Sequence, residues 1–167
     1  METAEIAIKA ALTGHLVLST IHTNDAPSTI NRITNMGVES FLVTAALNMV
    51  VAQRLVRRIC ENCKQPYNPP ADLMKAVGLD ASTTVYHGEG CERCGNRCYK
   101  GRMAIYEIMI ISDNMRDKII EGITATNLKQ LAIEEGMETL RMSGVNKIKD
   151  GVTTLDEVLG ATAADDR

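Results

Sequence analysis

Apolar and polar positions divide the chain into a first part that mixes helix and strand periods and a last part of short, punctuated helices. Residues 2–12 are rich in Ala, Ile, Leu, Glu and Lys, which suit a helix, and Gly14 is placed to cap it. A helix at the very start, with no strand before it, reads as a cut, so the chain is expected to be the C-terminal part of something longer. Residues 16–21 (LVLSTI) form a short apolar, branched run that predicts a buried, parallel strand. Asn24 or Asp25 can cap a helix with Pro27 in its first turn, Ile30, Ile33 and Met36 on one face, and Gly37 at its end. A second helix is predicted over 40–50, apolar enough through Phe41, Leu42, Val43, Leu47 and Val50 to be buried on several sides. A strand is expected over 53–59. This half therefore reads as part of an α/β sheet domain.

Pro66, Pro69 and Pro70 argue against a sheet in 64–90 and leave room for a short helix near 72–77. Residues 102–109 read as a strand, with Met103 and Ile105 on one face and Ala104, Tyr106 and Ile108 on the other. Four helices come next. One starts at Ser112 and stops at Gly122, one runs from Thr126 to Gly136, and one from Thr139 to Gly151. Thr154 with Glu157 forms a capping box for the last. Residues 161–167 are expected to fray.

Composition adds that the core must be aliphatic. The 167 residues include no Trp, one Phe and four Tyr, but nine Met. No apolar run approaches membrane-spanning length, and the acidic start is not a signal peptide. Net charge is −3 and uneven: residues 50–102 carry nine Lys or Arg against five Asp or Glu. A metal bound by four thiolates would lower that local excess to about +2. With so few aromatics, nucleic acid is not an expected partner.

The cysteines change the picture most. Cys60 and Cys63 form one Cys-x-x-Cys hook, Cys91 and Cys94 a second, and 27 residues separate them. Two such hooks can place four thiolates around one zinc ion. Two disulfides, redox hooks or unliganded thiols are the other readings. Cys98 is a fifth cysteine, either a free thiol or a substitute for Cys94. His15 and His22 flank the predicted strand seven residues apart, on opposite faces, so a shared metal is not expected. His22, at the strand's C-terminal end, could meet a phosphate or simply order a strand-to-helix turn. Arg54, Arg57 and Arg58 form a basic knot, either a solvated face or a charge offered to a neighbouring subunit. No Gly-x-x-x-x-Gly-Lys-Ser/Thr loop is present, and the nearest string, 143–147, reads as helix. The residues thus contain no complete active site.

Several motifs, in order, resemble the ATPases of type IV pilus assembly and type II secretion. TGHLVLSTIHTNDA (13–26) is similar to that family's histidine box, and ETAEIAIKAA (2–11) to the stretch just after its Walker B segment. AQRLVRRICENC (52–63) resembles the approach to its first metal hook. YKGRMAIYE (99–107) resembles its exit strand, and GMETL with GVTTLDEVL (136–140, 151–159) its C-terminal helices. The hooks favour the extension and secretion branch over the retraction branch. The resemblance implies the C-terminal portion of a RecA-like P-loop ATPase core over 1–59 and a tetracysteine zinc module over 60–101. A strand and helical subdomain over 102–160 and a disordered tail over 161–167 complete it. It implies Zn2+ on Cys60, Cys63, Cys91 and Cys94. His15 and His22 would be the nucleotide-sensing pair, His22 on the γ-phosphate side, and Arg54 and Arg57 would lie near a subunit interface. The parent would be a cytoplasmic homo-hexamer using ATP and Mg2+ and acting on an inner-membrane platform protein. With the P-loop and catalytic glutamate upstream, this chain alone should not hydrolyse ATP. Cys98 departs from the small residue expected there. Two readings from other classes compete: a free-standing zinc module binding protein or nucleic acid, and a thiol redox protein.

Overall fold

The computed structural model describes residues 2–163, and of Glu2 the backbone only. The chain forms α1 (Glu2–Leu12), α2 (Pro27–Asn35), α3 (Ser40–Ala46), β1 (Met49–Ile59), β2 (Lys64–Tyr67), α4 (Ala71–Ala76) and β3 (Val85–Gly88). Next come β4 (Tyr99–Ile110), α5 (Asp113–Ile120), α6 (Ala125–Glu134), α7 (Leu140–Lys149) and α8 (Leu155–Ala161). β1 pairs with β4, and β2 with β3. Two compact units result among the described residues: those up to 52 with 107–137, and 53–106 with those from 138 on. Compactness therefore groups stretches that are distant in sequence, with boundaries inside β1, inside β4 and between α6 and α7.

In the first unit α3 lies against α1 and α5, and α2 against α6. Ile30, Val43, Met109, Met115, Ile119, Leu128 and Ala132 are buried, an aliphatic and methionine core as the composition requires. On β4, Ile105, Glu107 and Met109 are buried and Tyr106, Ile108 and Ile110 exposed, the alternation expected of a strand covered on one face. α2 opens as expected: the Asp25 carboxylate accepts the amide of Ser28 at 2.8 Å, and Pro27 occupies the first turn.

In the second unit α7, α8 and α4 enclose Met74, Val77, Leu79, Val85, Val145, Ile148, Leu155 and Val158. Gly144 on α7 is packed so closely on α8 that a Cβ there would lie 2.6 Å from Val158 Cγ1. The Arg57 side chain grips Glu157, with Nε to Oε1 at 2.9 Å, while its own amide donates to Oε2 at 2.8 Å. The same guanidinium lies 4.1 Å above the ring of Tyr99, whose hydroxyl bonds Thr154, the N-cap of α8, at 3.0 Å.

Five expectations need correction. Residues 16–21 form no strand: no other segment among the described residues lies in a ladder beside them, and Leu16 and Leu18 are 89% and 86% exposed. A strand exists only through its neighbour's hydrogen bonds, and an apolar run alone does not supply them. The helix at 40 ends at Ala46, the strand after it starts at Met49 rather than 53, and Phe41 is exposed. The segment 64–90 does contain a sheet, with Lys64 opposite Gly88 and Pro66 opposite Tyr86 in antiparallel register. In a two-stranded sheet each strand keeps one edge open, so proline's missing donor costs no ladder bond there. Thr124, not Thr126, caps α6, its hydroxyl accepting from Asn127 N at 3.2 Å. α8 extends to Ala161, the first residue of the expected tail, and 164–167 lie outside the described residues.

Candidate metal centre and histidine segment

The candidate metal centre begins with two tight turns. After β1, the amide of Cys63 donates to the carbonyl of Cys60 at 3.1 Å, folding the first hook back on itself. The second hook is a single 3-10 turn over Glu92–Cys94, closed by Gly95 in the left-handed region. Asn96 and Cys98 also take positive φ, of 58° and 65°. That costs non-glycine residues energy unless the surroundings impose it. Here they do: the Cys98 carbonyl accepts the amide of Cys60 at 3.0 Å and lies against Gly88, where a Cβ would meet that oxygen at 2.4 Å. Gly88 is therefore the residue that lets the β2–β3 hairpin approach the second hook.

These turns bring the four hook sulfurs within 4.8 Å of one another. Sγ of Cys60 and Cys91 are 3.8 Å apart, Cys63 and Cys94 4.0 Å, and Cys91 and Cys94 3.7 Å. A tetrahedron of sulfurs at the usual zinc–sulfur distance of about 2.3 Å has edges of about 3.8 Å, so the cluster has the right size for that ion. No disulfide is formed among the five cysteines, and the Cys98 sulfur lies outside the group.

The protons are unevenly held. Burial pushes the Cys63 thiol up to about 12, the amide of Gly90 opposing it in part. The Asn62 side chain draws Cys91 down to about 6 against the cost of burial, helped by the amide of Cys94. At Cys94 burial is the largest influence and raises it, but the amides of Cys91 and Cys98 help bring the group below its ordinary value. Four thiolates so close together repel, and only a cation allows all four to ionise. Asn62, Gly88 and Gly90 shape the cysteine cluster, and the residue pattern does not single them out. The nearness of 62 and 90 to the cysteines is the only signal it carries.

His22 is exposed, as is His15, whose Nδ1 is 3.0 Å from Thr13 Oγ1. Just beyond His22, Thr23 bonds Thr29 at 2.9 Å and the Ala26 amide donates to Glu107 Oε1 at 2.7 Å. Arg57 is committed to Glu157, and Arg54 Nη1 donates to the carbonyl of Gln53 at 3.2 Å. The string 143–147 is inside α7, as expected.

The model of the Type II/IV secretion system protein family matches residues 1–160. This chain belongs to that family. It is 53% identical to the type IV pilus assembly ATPase PilB of Myxococcus xanthus, over 98% of this chain and 30% of that protein. PilB of Thermus thermophilus is 49% identical, over 96% of this chain and 19% of its own length. Type II secretion system protein E of Dickeya dadantii is 44% identical, over 96% and 32%. The chain thus spans a third or less of these curated relatives. Among solved structures, the pilus retraction motor PilT with bound ADP aligns over 97% of this chain and 36% of its own, with TM-score 0.65 and 25% identity. The Legionella pneumophila ATPase DotB shares the fold, at TM-score 0.61 and 18% identity. The α/β fold expected from the sequence, part of the core of such ATPases, is the fold this secretion-family chain has.

Proposed function

We propose that this chain is the C-terminal part of a hexameric, cytoplasmic motor ATPase that powers type IV pilus assembly. The observation that carries the reading is the family match across nearly the whole chain, and the higher identity to the two PilB proteins supports the pilus branch over secretion. Residues 1–59 act as part of the ATPase core, 60–101 as the metal module and 102–160 as the strand and helical subdomain. In the whole protein the exposed Leu16 and Leu18 are covered by the rest of the core, whose strands supply the missing ladder. His22 senses the γ-phosphate side of ATP bound with Mg2+, and His15 completes the nucleotide-sensing pair. Arg54 and Arg57 lie near the subunit interface, where Arg57 would exchange its Glu157 bond for a neighbour's phosphate. The motor engages a platform protein of the inner membrane from the cytoplasmic side, and no helix among the described residues is long and apolar enough to cross that membrane.

Cys60, Cys63, Cys91 and Cys94 hold one Zn2+. Bound there, zinc supplies no open coordination position and acts as a structural tie whose binding energy counts toward folding. The chain's own residues arrange the thiolates: Asn62 and the amides of Cys91 and Cys98 favour the charged sulfurs. Alone the chain does not cleave ATP, because it lacks a phosphate-cradling loop. The test is the purified full-length protein: elemental analysis is expected to give one zinc per chain, and turnover of MgATP is expected to depend on it. A complete protein that neither binds nor cleaves ATP would overturn the reading.

A further inference from the structure

The turn just past His22 is held by two carboxylates. Asp25 takes the amide of Ser28, a local and ordinary helix cap. The second is unusual: Glu107, 81 residues away on β4, takes the amide of Ala26 at 2.7 Å. Glu107 is 1% exposed and Ala26 fully buried. A carboxylate on the covered face of a strand is expensive to bury. Its neighbours on that face, Ile105 and Met109, are apolar, and an apolar residue would fill position 107 at lower cost. What the carboxylate adds is a fixed point at the start of α2. The two carboxylates also occupy amides that a helix N-terminus would otherwise offer a phosphate. The exposed imidazole of His22 lies four residues before Ala26.

We propose that Glu107 is a positioning residue for His22. By holding the Ala26 amide it fixes where the 22–25 turn leaves α2, and so aims the imidazole at the nucleotide. The inference rests on the nucleotide-sensing reading of His22.

Four variants of the full-length protein test it: Glu107→Leu, Glu107→Gln, His22→Ala and the double variant Glu107→Leu/His22→Ala. Leucine suits the buried site but cannot accept a hydrogen bond, whereas glutamine can. Glu107→Leu is expected to lower kcat about tenfold or more while the KM for MgATP changes less than about twofold. Glu107→Gln is expected to recover most of that loss. In the His22→Ala background Glu107→Leu should cost nothing further, since two residues acting as one unit are not additive. An equal loss in both backgrounds, or an unchanged kcat for Glu107→Leu, overturns the proposal. If Glu107→Leu does not fold, Glu107→Gln carries the cycle: its smaller loss must vanish without His22. Amide exchange in this chain gives a second readout. Residues 22–28 should exchange about tenfold faster in Glu107→Leu and not in Glu107→Gln, and unchanged exchange overturns the positioning role whatever the turnover. An inactive wild-type protein refutes the nucleotide reading itself, a failure visible before any variant is made.

Discussion

At the scale of single residues, the four hook sulfurs differ from the fifth by geometry and not by chemistry. Cys94 lies 3.7 Å from Cys91 and is buried, while Cys98, four residues on, contributes its carbonyl and not its sulfur to the knuckle. Cys94→Ser is therefore expected to abolish tight metal binding and Cys98→Ser to leave one ion per chain. Cobalt substitution checks both, through the thiolate-to-metal absorption. Glu157 offers a second prediction. The Arg57 guanidinium, opposed by burial and joined by the Arg57 amide, holds the Glu157 carboxyl below its ordinary value of 4.5. A carboxyl more acidic folded than unfolded adds stability above that ordinary value and loses it as pH falls through the folded one. Because Arg57 is half exposed, the contribution is modest. Glu157→Gln should lower stability by about 1 kcal/mol at pH 7. The gap from wild type should close as pH is taken below 4.5. Denaturant titrations at neutral and acid pH measure it.

At the scale of elements, close approach decides more than propensity. Alanine normally stabilises a helix interior over glycine by about 1 kcal/mol. On α7 the opposite is expected, because Gly144→Ala would push a methyl group to 2.6 Å from Val158 Cγ1. Overpacking of that kind costs about 1–3 kcal/mol, so the net change should be destabilising. Val158→Ala in the same chain should relieve it, and thermal melts of the single and double variants decide. Thr154 Oγ1 accepts from Glu157 N at 3.3 Å and meets Tyr99 Oη at 3.0 Å. Thr154→Ala should cost about 1 kcal/mol from the cap alone, and more if the tyrosine bond is also lost. The Ser or Thr caps of α5 to α8 could be read from the sequence, within two residues at α6, because a cap is a contact between near neighbours. The β2–β3 ladder could not, since it pairs residues some twenty positions apart across a proline-rich loop.

At the scale of the molecule, an ion on the four sulfurs would tie together chain segments of the second unit that lie far apart in sequence. The β1 exit, the hairpin and the β4 entry all meet at Cys60, Gly88 and Cys98. The apolar core of that unit is small, and a four-sulfur site contributes its binding energy to folding. With zinc on the four sulfurs as proposed, its removal by a chelator under reducing conditions is predicted to cost several kcal/mol, about 10 °C or more in Tm for a unit of this size. Amide exchange should rise first around residues 60–67 and 85–98. Calorimetry with and without chelator, then with zinc restored, checks it.

Local chemistry could be read directly from the residues: the two cysteine hooks, the β4 alternation, the helix caps, and the motif order by which the chain resembles its family. Each depends on residues a few positions apart, where spacing alone dictates which groups meet. Tertiary structure decided the rest. It left 16–21 without a ladder, made a hairpin from a proline-rich loop, gave Arg57 to Glu157 and brought Glu107 to Ala26. Those outcomes depend on which distant segments are available as partners, and one segment's period and composition carry no record of its partner.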